Sequence, residues 1–290
     1  VWIRNGTLVV GSPGALGGTA SGTSVSNGAA LALEGGVDYA AAEALALSGG
    51  GLGNGALFNL AGTNRWAGPV HLAGPSMIGA ARDSQLTLDG PLTGAYSLAK
   101  SGPGTLVLSG PQPNTYGGPT LVNEGTLALD KPSGPALRGI VTIGDGTHAA
   151  AAQLLRSDQL APDQSLTLRS GATLEVGSFR NTLGTLFLED ALITAGRLIL
   201  TGTVTYAGTG AGADVAADLD LAGDSVGVEF NVGLGTGGTN LLVTGELGGG
   251  ALRKTGAGLL ALRGAGTFTG GVVLAAGALW AGHPQALGSG

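Results

Sequence analysis

The chain has 290 residues, 58 of them Gly, no Cys, 11% charged residues and a formal net charge of −6. Globular domains carry about 7% Gly and about 25% charge, but 43% apolar residues still suffice for a core, one that is thin and aliphatic because aromatics make up only 4%. The acidic balance excludes a nucleic-acid footprint, the lack of Cys excludes disulfides and thiolate metal sites, and no apolar run reaches the roughly 18–20 residues that span a bilayer.

In chain order, residues 6–17 (GTLVVGSPGALG) come first, and they recur as residues 277–288 (GALWAGHPQALG) with Gly6, Leu8, Gly11, Pro13, Ala15, Leu16 and Gly17 matched. Leu-x-Leu triplets begin at 31, 45, 86, 106, 127, 166, 186, 198, 219 and 260. Chance alone gives roughly seven such triplets, so their spacing matters more than their number. The steps from 86 to 106, 106 to 127, 166 to 186 and 198 to 219 each come to about 20 residues, which suits one coil of a β-helix. The steps that start at 45, 127 and 219 are near double that, and those that start at 31 and 186 fall short and break the pattern. Alternation then points Leu106, Leu108, Leu127, Leu129, Leu186, Leu188, Leu260 and Leu262 inward, with middle residues such as Thr87, Ala128, Thr167 and Asp220 outward. Residues 39–47 and 149–155 are Ala- or Leu-rich and have the composition of a short helical turn, though strand or loop fits them equally.

The longest copied phrase runs over residues 98–110 (LAKSGPGTLVLSG) and returns as 252–264 (LRKTGAGLLALRG). The match continues from Tyr116, Gly118, Gly125 and Leu127 to Phe268, Gly270, Gly277 and Leu279, and a weaker third copy sets Trp66, Gly68 and Pro69 against Tyr116, Gly118 and Pro119. Gly102, Gly104, Gly118 and Gly125, with Gly256, Gly258, Gly270 and Gly277, are expected at turns, several with positive φ.

These phrases resemble the autotransporter-associated β-strand repeat of bacterial autotransporter passengers, roughly L-x-K-x-G-x-G-x-L-x-L-x-G followed by N-x-Y-x-G-x-T-x-V-x-x-G-x-L. Here it stands as residues 98–110, then Asn114, Tyr116, Gly118, Thr120, Val122, Gly125 and Leu127; the second copy keeps Lys254 but has Phe268 for Tyr and lacks the Asn. The resemblance implies a right-handed parallel β-helix at or beyond the bacterial outer surface, associated with export and stalk building, and names no enzyme activity.

Reactive constellations are sparse. Residues 223–227 match G-x-S-x-G without a strand–turn–helix context, and Gly233, Gly235 and Gly238 match G-x-G-x-x-G ahead of a strand-like stretch instead of a helix. His71, His148 and His283 stand far apart. Asp214, Asp218, Asp220 and Asp224 form the densest acidic run, whose oxygens suit Ca²⁺, but the spacing is neither that of an EF-hand nor that of nonapeptide calcium repeats, and a solvated acidic face is the simpler reading. Asp218 and Arg197 come closest to the acid–base pairing that a β-helix polysaccharide lyase needs.

The expectation is therefore an all-β parallel β-solenoid of about 20 residues per coil over residues 1–290, a single segment forming one unit of about 271 residues in a longer array. At about 4.7–4.9 Å per coil, such a unit is a rod on the order of 65 Å long. No catalytic, cofactor-binding or metal site is expected, and no cofactor. The expected role is a stalk, adhesin shaft or filament that continues end to end by tandem copies or self-association. The alternative is a glycan- or cell-binding module using Arg65, Trp66 and Tyr116, and a lyase or hydrolase is a more distant third.

Overall fold

The computed structural model describes residues 1–40, 42–222 and 227–288, and among them the regular structure is β-strand with no helix. Paired strands run parallel, each beside a strand roughly one coil further along the chain. This is a parallel β-solenoid. The chain divides into two compact units, Val1–Ile140 with His148–Ala152, and Val141–Thr147 with Gln153–Gly290.

Each coil of the first unit places strands on three faces. One stacks Trp2–Ile3, Thr23–Val25, Leu45–Gly49, the start of Val70–Ala80, and Leu92–Gly94. A second stacks Gly6–Val10, Ala29–Leu33, Leu57–Asn59, the end of Val70–Ala80, Leu98–Ser101 and Thr120–Val122. The third runs from Asp38–Tyr39 through Thr63–Trp66, Gln85–Leu88 and Thr105–Leu108 to Gly125–Leu129.

The second unit repeats the plan. Ser165–Leu168 begins a ladder that continues through Thr185–Leu188, Val204–Tyr206, Val228–Val232, Leu252–Thr255 and Val272–Leu274. Another holds Ala172–Glu175, Leu192–Ile193, Ala213–Val215, Leu241–Val243, Leu259–Leu262 and Ala278–Ala281. The third holds Arg180–Leu183, Arg197–Leu200, Asp218–Leu221 and Leu247–Gly249.

Period-two alternation explains which residues enter the core. The eight leucines expected to face inward are all buried, and register pairs Leu86 with Leu106, Leu106 with Leu127, and Leu166 with Leu186. Burying each such side chain contributes about 1.5–3 kcal/mol. A narrow coil brings every leucine against its counterparts above and below, so few aromatics are needed.

Three expectations change. The single steps between triplets are real coil steps, with Leu86, Leu106 and Leu127 stacked in register and Leu198 on Leu219. The near-double steps are not: Leu45 and Leu86 lie on different faces, as do Leu219 and Leu260. Coil length also varies, short where Arg180 stacks on Arg197 and long where Ala213 stacks on Leu241, because turns and loops of different size join the same three faces. Middle residues do not all reach solvent, since Ala32, Ala128 and Ala261 are buried. A methyl group on the outer ladder is covered by larger neighbours: Val9 and Phe58 flank Ala32, and Leu242 and Trp280 flank Ala261. Residues 45–49 and 150–154 are strands, which removes the helical option for the two Ala-rich stretches.

The phrase glycines divide into two kinds. Gly102, Gly125, Gly256 and Gly277 have φ of 70–73° and need glycine for conformation. Gly104, Gly118, Gly258 and Gly270 lack positive φ. A Cβ on any of them would lie 2.1–2.7 Å from backbone atoms of the preceding coil, so they serve close approach.

Candidate functional site

The residues that give the sequence its signature are the natural candidates, and the structure turns them inward. Lys100 sits on a strand beside Leu98 with its side chain fully buried. Its Nζ donates to the carbonyls of Ser101 (3.0 Å), Gly102 (2.6 Å) and, one coil on, Glu124 (2.8 Å). Lys254 repeats the arrangement on Thr255 (2.5 Å), Gly256 (2.8 Å) and Ala276 (3.1 Å). Each ammonium therefore caps a turn in its own coil and ties it to the next. Burial pushes the Lys100 ammonium down to about 8, opposed by the Glu124 carboxylate, and lowers Lys254 as well.

Asn114 performs a related task with an amide. Its Oδ1 accepts the Leu92 N–H from the preceding coil (2.9 Å), and its Nδ2 donates to Ala136 O (3.0 Å). In the third copy Asn64 Oδ1 accepts the Val37 N–H (2.5 Å), followed by the same backbone bonds: Arg65 to Val37 and Ala67 to Tyr39 parallel Thr115 to Leu92 and Gly117 to Gly94. The second copy has no Asn, and there the backbone closes the gap itself, with Leu247 N–H donating to Ala265 O (2.9 Å).

Tyr116 is buried, and its hydroxyl meets Thr120 Oγ1 at 2.6 Å; burial raises the phenol to about 12, with the Thr120 bond acting the other way. The second copy replaces both partners together, with Phe268 for Tyr116 and Val272 for Thr120. Removing a hydrogen-bonded pair as a pair leaves no orphaned polar group, which is why the change is tolerated. The aromatics that the binding-module alternative needs outside are therefore inside. Trp66 is fully buried and stacks on Tyr39 at 4.7 Å between centroids. Arg65 is half-exposed but committed to Asp38 (2.9 Å) and to Asp89. Aromatics two residues after an inward Asn fill the coil corner; the Asn-x-aromatic pattern was the available signal.

Asp190 escaped sequence reasoning altogether. It accepts the Gly210 and Gly212 N–H groups and the Tyr206 hydroxyl, each at 2.9 Å, fastening the Gly-rich turn after Tyr206. Burial works to raise its carboxyl, but those donors outweigh burial and hold it below the usual carboxylate range. Tyr206 is pushed up to about 12 by burial and by Asp190.

The other candidates do not converge. Asp214 lies on a different face from Asp218 and Asp220, and Asp224 falls outside the described residues. Among the described residues no group of three or more His, Asp or Glu is placed to hold a metal ion. Of the G-x-S-x-G stretch, residues 223–226 lie outside the described residues; residues 241–243 after the Gly-rich stretch form a strand. His71 contacts Thr93 across the first face (3.1 Å), and His148 and His283 stand elsewhere. Arg197 and Asp218 pair directly in register on an outer face.

The phrases just described match the Passenger-associated-transport-repeat family over residues 98–129 and 252–281. The chain thus carries two repeats of the kind named for autotransporter passengers. Over 170 residues the chain is 32% identical to the protein named Adhesin BmaC autotransporter from Brucella suis biovar 1 (strain 1330), a match covering 52% of this chain and 5% of that protein. No solved structure matches the chain. Its place is the bacterial outer surface or the space beyond it. No helix among the described residues is long and apolar enough to cross a membrane.

Proposed function

We propose that this passenger is a non-enzymatic shaft of a surface adhesin, a coil stack that carries contact surfaces away from the cell. The observation that carries the reading is the use made of the repeat's polar side chains: Lys100, Lys254 and Asn114 all bond one coil to another. Such residues build length and stiffness, and leave recognition to the outer ladder. The adhesin component is supported by the name of the Brucella relative, whose length this chain spans only in small part.

Tandem continuation is supported by the two copies of the opening phrase, residues 6–17 and 277–288. Both form a strand followed by a turn closed by matching bonds, Ala15 to Ser12 (3.4 Å) and Gly17 to Gly14 (2.9 Å) in one, Ala286 to His283 and Gly288 to Gln285 (each 3.0 Å) in the other.

Oriented specimens of the secreted passenger test the shaft. Thin rods with a reflection along the rod axis at about 4.7–4.9 Å are expected, because strands stacked coil on coil repeat at that spacing. Compact particles without that reflection, or release of unsaturated uronates from pectin or alginate, would overturn the reading.

A further inference from the structure

We propose that Arg180 and Arg197 form an exposed site for a sulfated glycan. The two residues sit directly opposite each other on the paired strands Arg180–Leu183 and Arg197–Leu200. Asn181 and Leu198, next along each strand, are fully buried, so alternation sends both guanidinium groups outward, where both residues are exposed. Neighbouring strands hold them about 4.7–4.9 Å apart at the backbone.

Like charges side by side on a sheet repel, and this pair has no internal counter-ion. Among the described residues neither guanidinium makes a hydrogen bond or ion pair. Acidic groups are close enough to have served. Asp218 is the register partner of Arg197 on the next strand, yet its Oδ1 accepts the Glu246 N–H at 2.9 Å. Asp158, whose N–H donates to Arg180 O from the preceding coil (3.0 Å), makes no ion pair with it either. Arg156, whose carbonyl accepts from Asn181 (3.4 Å), and Glu246, whose N–H Asp218 binds, are further charged residues on the adjoining coils.

Two guanidinium forks side by side call for an anion with several terminal oxygens. One carboxylate matches one fork; a sulfate monoester offers three oxygens, stays ionised and serves two. An exposed pair on the outside of paired strands suits a polymer lying across it better than a small enclosed anion, and outside the cell the sulfate monoesters within reach are those of glycans. The formal charge of −6 repels polyanions as a whole, so binding has to come from this local pair.

The test is retention of the folded passenger on immobilised heparin oligosaccharides in about 50 mM salt, with the loss of affinity on raising salt that screening of exposed charges requires. R180A/R197A is expected to weaken binding at least about tenfold, the effect of losing roughly 1.4 kcal/mol. R82A, at a separate exposed arginine, should bind as the parent does. Both exposed substitutions should leave the melting temperature unchanged, which separates lost binding from lost fold. No retention of the parent, equal retention of R180A/R197A, or equal binding to hyaluronate or to phosphatidylserine vesicles would overturn the proposal. None of those results bears on the shaft reading, which rests on the rods and their axial reflection.

Discussion

Lys100→Met is expected to lower unfolding stability by about 2–4 kcal/mol at pH 7. Replacing a buried ion by an apolar residue of similar size is often nearly neutral, because the desolvation cost of the charge disappears with it. Here three carbonyls, of Ser101, Gly102 and Glu124, would lose their donor, and each buried unsatisfied group costs about 1–3 kcal/mol. The second effect is the larger. Lys254→Met should behave alike through Thr255, Gly256 and Ala276. A pH signature accompanies it. Burial lowers the folded Lys100 ammonium to about 8, whereas an unfolded lysine titrates near 10.4. Between those values the unfolded chain holds more protons, so stability rises with pH across that window and the full penalty applies below it. Lys131, lowered to about 8 by burial against the pull of Asp89, adds a rise of the same sign. Urea midpoints from pH 7 to 10 should climb in the parent and climb less steeply in K100M. An unchanged midpoint and slope in K100M would remove the lysine clamp from the account.

Gly125→Val should be the more damaging change, costing about 3–5 kcal/mol or preventing folding. Gly125 has a φ of 70°, and a Cβ there would lie 2.5 Å from the carbonyl oxygens of both Gly102 and Gly104. The left-handed conformation alone costs a side chain roughly 1–2 kcal/mol. The clash adds to this, because backbone oxygens of a stacked coil cannot rotate away. Gly117→Ala supplies the contrast: no positive φ, and nothing within 4 Å of its Cβ position, so its midpoint should stay within about 0.5 kcal/mol of the parent. Equal effects of the two substitutions in urea melts would contradict the close-approach argument.

The coil was legible in the sequence because its determinant is local. Leu106 and Leu108, or Leu260 and Leu262, need only period-two alternation to be placed inside, and the copied phrases mark where it recurs. What depended on neighbouring coils was not legible. Trp66 and Tyr116 look like surface aromatics until the preceding coil sets Tyr39 beside Trp66 and Thr120 meets the Tyr116 hydroxyl. The triplets at 45 and 86 suggested a doubled step because sequence distance says nothing about which of three faces a strand occupies. Arg180 and Arg197 stand closer in the chain than the step that the leucine triplets mark, and only the observed register places them side by side.

Paired cysteines test the central claim, parallel coil stacking in the register described, most directly. The protein has no cysteine of its own, so any crosslink reports the introduced pair. Thr87 and Val107 are register partners on adjacent coils and share the outer face, which brings their Cα atoms within the roughly 4.4–6.8 Å that a disulfide spans. T87C/V107C should oxidise readily and completely. T87C/L106C should not, because Leu106 points into the core. Crosslinking in T87C/L106C, or its failure in T87C/V107C with the protein folded, would contradict the stacking on which the lysine clamp, the buried aromatics and the arginine pair all depend.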